Sequence, residues 1–240
     1  MTRAENKRGD VRTIDLFDKP ERGEVVAMGP RAFVLRGFAL PFVDELLPSI
    51  AAVERVSPFR HMVTPGGFTM SVALTNCGAL GWTTDRRGYR YTGIDPDNDR
   101  PWPAMPDVFA RVAREAAQSA GFGGFSPDAC LINRYMPGAR LSLHQDKDER
   151  DFEAPIVSVS LGMTATFLFG GFERAERTVK IPLYHGDVAV WGAEDRMRYH
   201  GVMPLGDDPH PLLGNRRINL TFRKVADRED YGARLGSALL

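Results

Sequence analysis

His144 and Asp146 stand two residues apart in LSLHQDKDE. On an extended segment that spacing turns both side chains to one face, so an imidazole and a carboxylate are presented together as metal ligands. His200, in RYHGV, begins another apolar run farther along the chain, and a jelly-roll topology brings such distant strands side by side. Two imidazoles and one carboxylate occupy one face of an octahedral iron(II) and leave positions for an oxidant and a cosubstrate. Alone the signal is weak, because HxD pairs arise by chance and a histidine at a strand end is more often a hydrogen-bonded structural residue. His61, His185 and His210 are given that structural reading, the last two because they sit beside turn residues.

The segment RRINLTFR strengthens the case. Strand alternation puts Arg217, Asn219, Thr221 and Arg223 on one face and Ile218, Leu220 and Phe222 on the other. Guanidinium groups turned toward a protein interior are costly unless an anion meets them. Their planar forks match carboxylates, and 2-oxoglutarate carries two. In LINRYM, Asn133 and Tyr135 share a face opposite Ile132 and Arg134 and offer further hydrogen bonds to the same anion. For the two arginines alone, a solvated edge strand is the better explanation. With HxD and a distal histidine in the same chain, the anion site becomes the stronger account.

A frame of strands must position these residues. After Asp128 the chain breaks into short apolar or β-branched runs: ACLINRYM, APIVSVSLG, TATFLFG, TVKIPL, GDVAVWG, YHGVMP and RINLTFRK. Turn residues separate nearly all of them, the spacing of a β-sandwich or barrel. Two helices precede this half. From Pro41 to Val56, Phe42, Leu46, Ile50 and Val53 recur at helical spacing, and Pro48 is expected to bend or shorten that helix. In PDVFARVAREAAQSAG, Phe109, Val112, Ala113, Ala116, Ala117 and Ala120 form an apolar stripe between Pro106 and Gly121. Between the helices, His61 to Pro103 mixes Gly, Pro, Thr and Asp with Phe68, Trp82, Tyr89, Tyr91 and Trp102, which reads as short strands and long loops. Residues 1–24 are polar and turn-rich, and a mobile extension is expected there, with Ile14, Leu16 and Phe17 available for docking. The fold expected is α+β and mainly β: one domain with helices outside an all-β core.

Composition sets bounds on function. At 43% hydrophobic residues the chain can bury a sizeable core. Lys+Arg and Asp+Glu are both 31, so net charge nominates no partner, although a local basic face would suffice for nucleic acid. Cys77 and Cys130 are the only cysteines and form no CxxC pair, which argues against a disulfide framework or a thiolate zinc site and for a reducing compartment. The polar start MTRAENKRGD leads into no apolar signal, and no stretch has the length of a membrane span. A cytoplasmic protein with no membrane partner is expected.

The motifs, taken in order, resemble a known family. PFRHMVTPGGFTMSVALTNCGALGWTTDRRGYRY, DACLINRYMPGARLSLHQDKDE, IVSVSLG, HGDVAVWG, YHGV and RINLTFR follow one another as in the bacterial AlkB proteins, from about Leu16 to Arg223. The resemblance implies a single catalytic domain over residues 25–224, with a nucleotide-recognition lid at 61–103 and a double-stranded β-helix core (a cupin-like jelly roll) at 128–224. It implies iron(II) on His144, Asp146 and His200, with 2-oxoglutarate and dioxygen as cosubstrates. The 2-oxoglutarate would rest on Asn133, Tyr135, Arg217, Asn219 and Arg223, and which arginine takes which carboxylate stays open. Trp82 would wall a flipped base and Asp148 would accept from its exocyclic amine, with Tyr89, Tyr91 and Arg174 at the nucleic-acid backbone or the pocket rim. Taken singly, each has a bland alternative: a packed tryptophan, a solvated DKDE charge run, loop tyrosines, a surface arginine. The implied activity is oxidative dealkylation of N-alkylated bases, such as 1-methyladenine and 3-methylcytosine, in single- or double-stranded DNA, with RNA as a further candidate. A monomer is expected, and neither the extension nor the tail 225–240 takes a role. Two competitors stay in view: the same iron chemistry on a protein, lipid or tRNA, and a non-catalytic cupin-like protein binding a metal and an unrelated anion.

Overall fold

The computed structural model describes residues 21–226. The expected mobile extension therefore lies almost wholly outside the described residues, as does most of the C-terminal tail. In chain order, β1 (Val25–Gly29), β2 (Ala32–Leu35), α1 (Val43–Val56) and β3 (Ala73–Gly78) come first. Four short strands follow: β4 (Gly81–Asp85), β5 (Gly88–Thr92), β6 (Ile94–Asp95) and β7 (Arg100–Pro101). After α2 (Asp107–Ser119) come β8 (Ala129–Tyr135), β9 (Leu141–His144), β10 (Ile156–Gly162) and β11 (Ala165–Phe169). The chain then forms β12 (Val179–Leu183), β13 (Val188–Trp191), β14 (His200–Val202) and β15 (Arg217–Arg223).

Two antiparallel sheets make the jelly roll, one of seven strands in the order β1-β2-β13-β10-β15-β8-β3 and one of four in the order β12-β11-β14-β9. Alternation along the large sheet divides its residues between two cores. Ile132, Val157, Val159, Leu161, Ile218, Leu220 and Phe222 point outward and are covered by Leu46, Ile50 and Val53 of α1 and Phe109, Val112 and Ala116 of α2. Tyr135, Ile156, Ala189 and Trp191 point inward, against Phe167, Phe169, Ile181 and Val202 of the small sheet. The outer face is therefore largely apolar, with Arg134 near its edge paired to Glu54 of α1. The inner face of β8, β10 and β15 also carries Asn133, Ser158, Ser160, Arg217, Asn219, Thr221 and Arg223, all buried. Polar groups inside such a sandwich need mutual partners or a ligand.

Helix α1 continues through Pro48 without a break. The carbonyl that loses its partner belongs to Asp44, and both Asp44 and Pro48 are exposed, so water can satisfy it. Each residue of the predicted α2 stripe is buried, and Gly121 ends that helix with a φ of 81°. From upstream of residue 128, β1, β2 and β3 join the large sheet. Within 61–103, β3 pairs with β8, and β4–β7 form two separate hairpins. Buried Asp95 anchors the second of these by accepting from Ser57 Oγ at 2.6 Å and Arg60 Nη2 at 2.6 Å. That anchor ties the inserted segment to the end of α1.

Candidate active site

His144 closes β9 and His200 opens β14, and the two are register partners across the small sheet. That pairing brings residues distant in sequence to a ring-centroid separation of 4.4 Å. Asp146 lies two residues beyond His144. Its Oδ1 is 3.6 Å from His144 Nε2 and its Oδ2 3.7 Å from His200 Nε2. One ligand atom from each of the three falls within 4.8 Å of the others. The tautomers follow from the backbone. Both Nδ1 atoms face carbonyls, of Ser142 at 2.9 Å and of Arg198 at 3.0 Å, so each Nδ1–H donates and each Nε2 lone pair is left for a metal. Burial, reinforced by His144 and opposed by Asp146, pushes the His200 pKa down to about 3. Burial alone would raise Asp146, but Arg223, His200, His144 and Arg196 outweigh it and hold the carboxyl well below the usual range. A neutral imidazole beside an ionised carboxylate needs no proton removed before a metal binds.

The two arginines of β15 differ in what they meet. Arg223 sends Nε and Nη2 to Asp146 Oδ2 at 3.1 and 3.0 Å. Asp146, Tyr91 and Glu149 raise its pKa despite burial. Arg217 is as deeply buried, yet no carboxylate is paired with it among the described residues. Its Nε donates to Ser160 Oγ at 3.0 Å, its guanidinium lies 4.9 Å from the Tyr135 ring centre, and Nη1 is buried without a hydrogen-bond partner. Burial lowers its pKa, against Tyr135. Between the arginines, Asn219 donates to Ser158 Oγ at 2.8 Å and accepts from Asn133 at 3.3 Å and Thr221 at 2.9 Å. The row is thus prepared for an anion at the Arg217 end.

Sequence reasoning missed Glu149 and Arg196. Glu149 Oε2 accepts from Arg196 Nη2 at 3.0 Å, and its Oε1 accepts from Tyr91 Oη at 2.6 Å and lies 3.3 Å from Arg223 Nε. Arg196 Nη1 also donates to the Asp146 carbonyl at 2.6 Å. Two cations and two carboxylates are thereby buried as a compensated cluster around the candidate metal ligand. Glu149 is the last residue of DKDE, which its charge alone makes look solvated.

Trp82 faces Tyr91 across the β4–β5 hairpin, and Tyr89 lies diagonal to it. Trp82 and Tyr89 stack at 5.6 Å with 19° between their planes. The Trp82 Nε1–H donates to Asp148 Oδ2 at 3.0 Å, so the expected wall and the expected acceptor touch. Asp148 and Tyr89 are exposed. Tyr91 turns its hydroxyl inward to Glu149. Arg174 is exposed and its guanidinium lies 5.2 Å from the Tyr199 ring centre.

The model of the 2OG-Fe(II) oxygenase superfamily matches residues 34–223. The alpha-ketoglutarate-dependent dioxygenase AlkB of Salmonella typhimurium is 60% identical over 217 residues, which cover 90% of this chain and 100% of that protein. This chain belongs to the AlkB family. The Escherichia coli AlkB dioxygenase is 55% identical over the same coverage. The solved structure of OsALKBH1 superposes with a TM-score of 0.74 at 28% identity, covering 84% of this chain and all of that one. As an AlkB-family oxygenase the protein uses iron(II) and 2-oxoglutarate, and its residues fit both. Two imidazoles and a carboxylate converge as oxygen- and nitrogen-donor ligands suited to iron(II). The partnerless Nη1 of Arg217 suits a carboxylate.

Proposed function

We propose that the protein removes N-alkyl groups from nucleobases in DNA, with RNA as a secondary substrate, 1-methyladenine and 3-methylcytosine being representative lesions. When bound, iron(II) with 2-oxoglutarate and dioxygen supplies the oxidising power that hydroxylates the N-alkyl carbon, releasing succinate, carbon dioxide and an aldehyde. His144, Asp146 and His200 hold the metal. Arg217 takes the distal carboxylate of 2-oxoglutarate, with Tyr135 beside it, while Asn133 and Asn219 line the space between. Arg223 acts through Asp146, fixing the carboxylate that faces the metal and keeping it ionised. The observation that carries the substrate assignment is the Trp82–Tyr89 stack joined to exposed Asp148, two residues past the metal carboxylate. A cationic alkylated base is attracted to an indole face, and Asp148 Oδ1 can accept from its exocyclic amine while Oδ2 keeps Trp82 in place. Exposed Tyr89 and Arg174 are left for flanking phosphates. Residues 25–224 act as one catalytic unit, and residues 61–103 serve as the lid.

Cys77 and Cys130 face each other on β3 and β8 and are both free, which supports a reducing, cytoplasmic setting for what we read as a monomer. No described helix is long and apolar enough to cross a membrane. The test is to incubate iron-loaded protein, 2-oxoglutarate and ascorbate with methylated oligonucleotides and follow base mass and succinate together. Repair matched by succinate is expected. Succinate without repair on any methylated base would move the substrate to another class, and no succinate at all would point to a binding protein.

A further inference from the structure

His185 and His210 stack outside the metal site, with ring centres 4.4 Å apart and 34° between their planes. His185 sits in the turn between β12 and β13. Its Nδ1 accepts the Gly162 N–H at 3.0 Å, and His210 Nδ1 accepts the Leu212 N–H at 3.2 Å. Both rings therefore carry their neutral-state proton on Nε2, which leaves no free lone pair for a metal. The pair calls for another explanation.

Gly162 ends β10 and is the register partner of Arg217. Its φ is 90°, and a Cβ there would lie 2.4 Å from the Arg216 carbonyl and 3.3 Å from Leu213, so only glycine fits. The Arg216 carbonyl accepts from Met163 N at 3.2 Å. His210 and Gly214 close a small loop by exchanging backbone hydrogen bonds of 3.0 and 2.8 Å. That loop lies in the connection from β14, which carries His200, to β15, which begins with Arg217. The His185 ring thus touches both sides of the Arg217 approach: the strand end that pairs with it and the loop that leads into it.

We propose that His185 is a positioning residue for the cosubstrate: stacked on His210 and bonded to Gly162, it clamps the loop before Arg217 and sets that guanidinium toward the carboxylate it binds. This rests on the assignment of Arg217 to 2-oxoglutarate. The clamp needs a neutral ring, because a protonated Nδ1 would point a proton at the Gly162 N–H and a charge at His210. Asp187, on the same turn, favours the charged form. His210 opposes it across the stack, Asp187 is itself ion-paired with Arg36 at 2.6 Å, Arg216 adds a cation on the loop before Arg217, and apolar Leu40 packs against Gly186. Burial and His210 together hold His185 below the ordinary 6.5, and burial does the same for His210. Groups so depressed stabilise the fold above their ordinary value, and that contribution is lost as pH falls through the folded-state value. The clamp should therefore loosen in mild acid.

His185→Asn offers a non-titrating acceptor, and His185→Leu offers none. In nuclear magnetic resonance spectra of the metal-free protein, the Gly162 amide should titrate with the His185 ring below neutrality in the wild type and stay fixed in His185→Asn. With iron saturating, the wild-type KM for 2-oxoglutarate should rise about three- to tenfold from neutral to mildly acid pH, and His185→Asn should show a much flatter profile. His185→Leu should have a raised KM at both pH values with kcat little changed. Acid effects on the iron ligands are common to the three proteins and cancel in the comparison. Identical pH profiles for wild type and His185→Asn, or a Gly162 amide indifferent to the ring, would overturn the clamp. An unaltered KM in Arg217→Ala would instead overturn the assignment of Arg217 and leave the amide result standing.

Discussion

Asp146 and Asp148 are two residues apart in one loop and live in opposite surroundings. Asp146 is buried between two imidazoles, and the Arg223 guanidinium and an Arg196 bond to its carbonyl fix it in place. Asp148 is exposed and has one described hydrogen-bond partner, the Trp82 indole. The same contrast holds for the regions around them. Inside the jelly roll, the charges around Asp146 are compensated before any ligand arrives, and Arg217 is left without a carboxylate. At the mouth, an exposed tyrosine, a half-buried tryptophan and an exposed carboxylate keep freedom to adjust. Reacting centres gain most from fixed geometry, whereas a surface that captures varied substrates gains from adaptable parts.

The largest effects should come from breaking the compensated interior. Asp146→Ala should abolish turnover and, in the metal-free protein, cost about 3 to 5 kcal/mol, because Arg223 loses a buried partner. His144→Ala should abolish turnover too, but with its side chain 33% exposed it should change stability by about 0.5 kcal/mol or less. Urea unfolding of metal-free variants separates the two. The Asp146 carboxyl is held below its ordinary 3.8, so its stabilisation is present above that value and lost as pH falls through the folded-state one. Asp146→Ala should accordingly flatten the acid limb of the stability profile. Equal stability losses for the two variants would erase the distinction between a compensated interior and an ordinary metal site.

Next comes the division of labour on β15. Arg217→Ala should raise the 2-oxoglutarate KM by about a hundredfold or more, leave oligonucleotide binding nearly intact, and remove little stability, since no carboxylate pairs with it. Arg223→Ala should raise the requirement as well, but through disordered Asp146 and Glu149, and so with a clear loss of stability. If calorimetry showed unchanged cosubstrate affinity in Arg217→Ala, the buried Nη1 would have some other partner in the working enzyme.

The same contrast explains what the sequence disclosed. HxD, the distal histidine and RINLTFR were legible because a period of two fixes which side chains share a face, whatever lies across from them. The core-facing stripes of α1 and α2 were legible for the corresponding helical reason. Glu149 and Arg196 were not, since a buried ion pair between loops depends on tertiary approach, and a charged residue in DKDE or AEDRMRY looks solvated by composition. Tyr91 shows the same limit: its strand was anticipated from composition, but its turn toward Glu149 depends on how the hairpin lies over the core.

At the mouth, Trp82→Ala should weaken capture of a methylated oligonucleotide by about tenfold to a hundredfold, the worth of one stacked base. Conversion of 2-oxoglutarate to succinate without substrate should survive, because Trp82 is not among the three metal-ligand candidates or the residues assigned to the cosubstrate. Fluorescence anisotropy of labelled oligonucleotides and a succinate assay measure the two separately. Joint loss of both would mean that the mouth is part of the fixed interior.

The smallest effect should be the most selective. Asp148→Ala removes an acceptor for the exocyclic amine and also frees the Trp82 indole, and the two consequences must be separated. Trp82→Phe keeps an aromatic face while losing the Nε1–H that binds Asp148, so any decline it shows reports the positioning of the ring. A hydrogen bond from a cationic base to a carboxylate, partly screened at an exposed site, is worth about a factor of five to ten. Asp148→Ala should therefore lower repair of 1-methyladenine and 3-methylcytosine by that factor relative to 1-methylguanine and 3-methylthymine, which present an oxo group instead of an amine. Trp82→Phe should lower all four by similar amounts. Competition among the four lesions in one reaction, read by mass, makes the comparison internal. Were Asp148→Ala to depress all four equally, as Trp82→Phe does, Asp148 would be a support for the indole and the base would be read elsewhere.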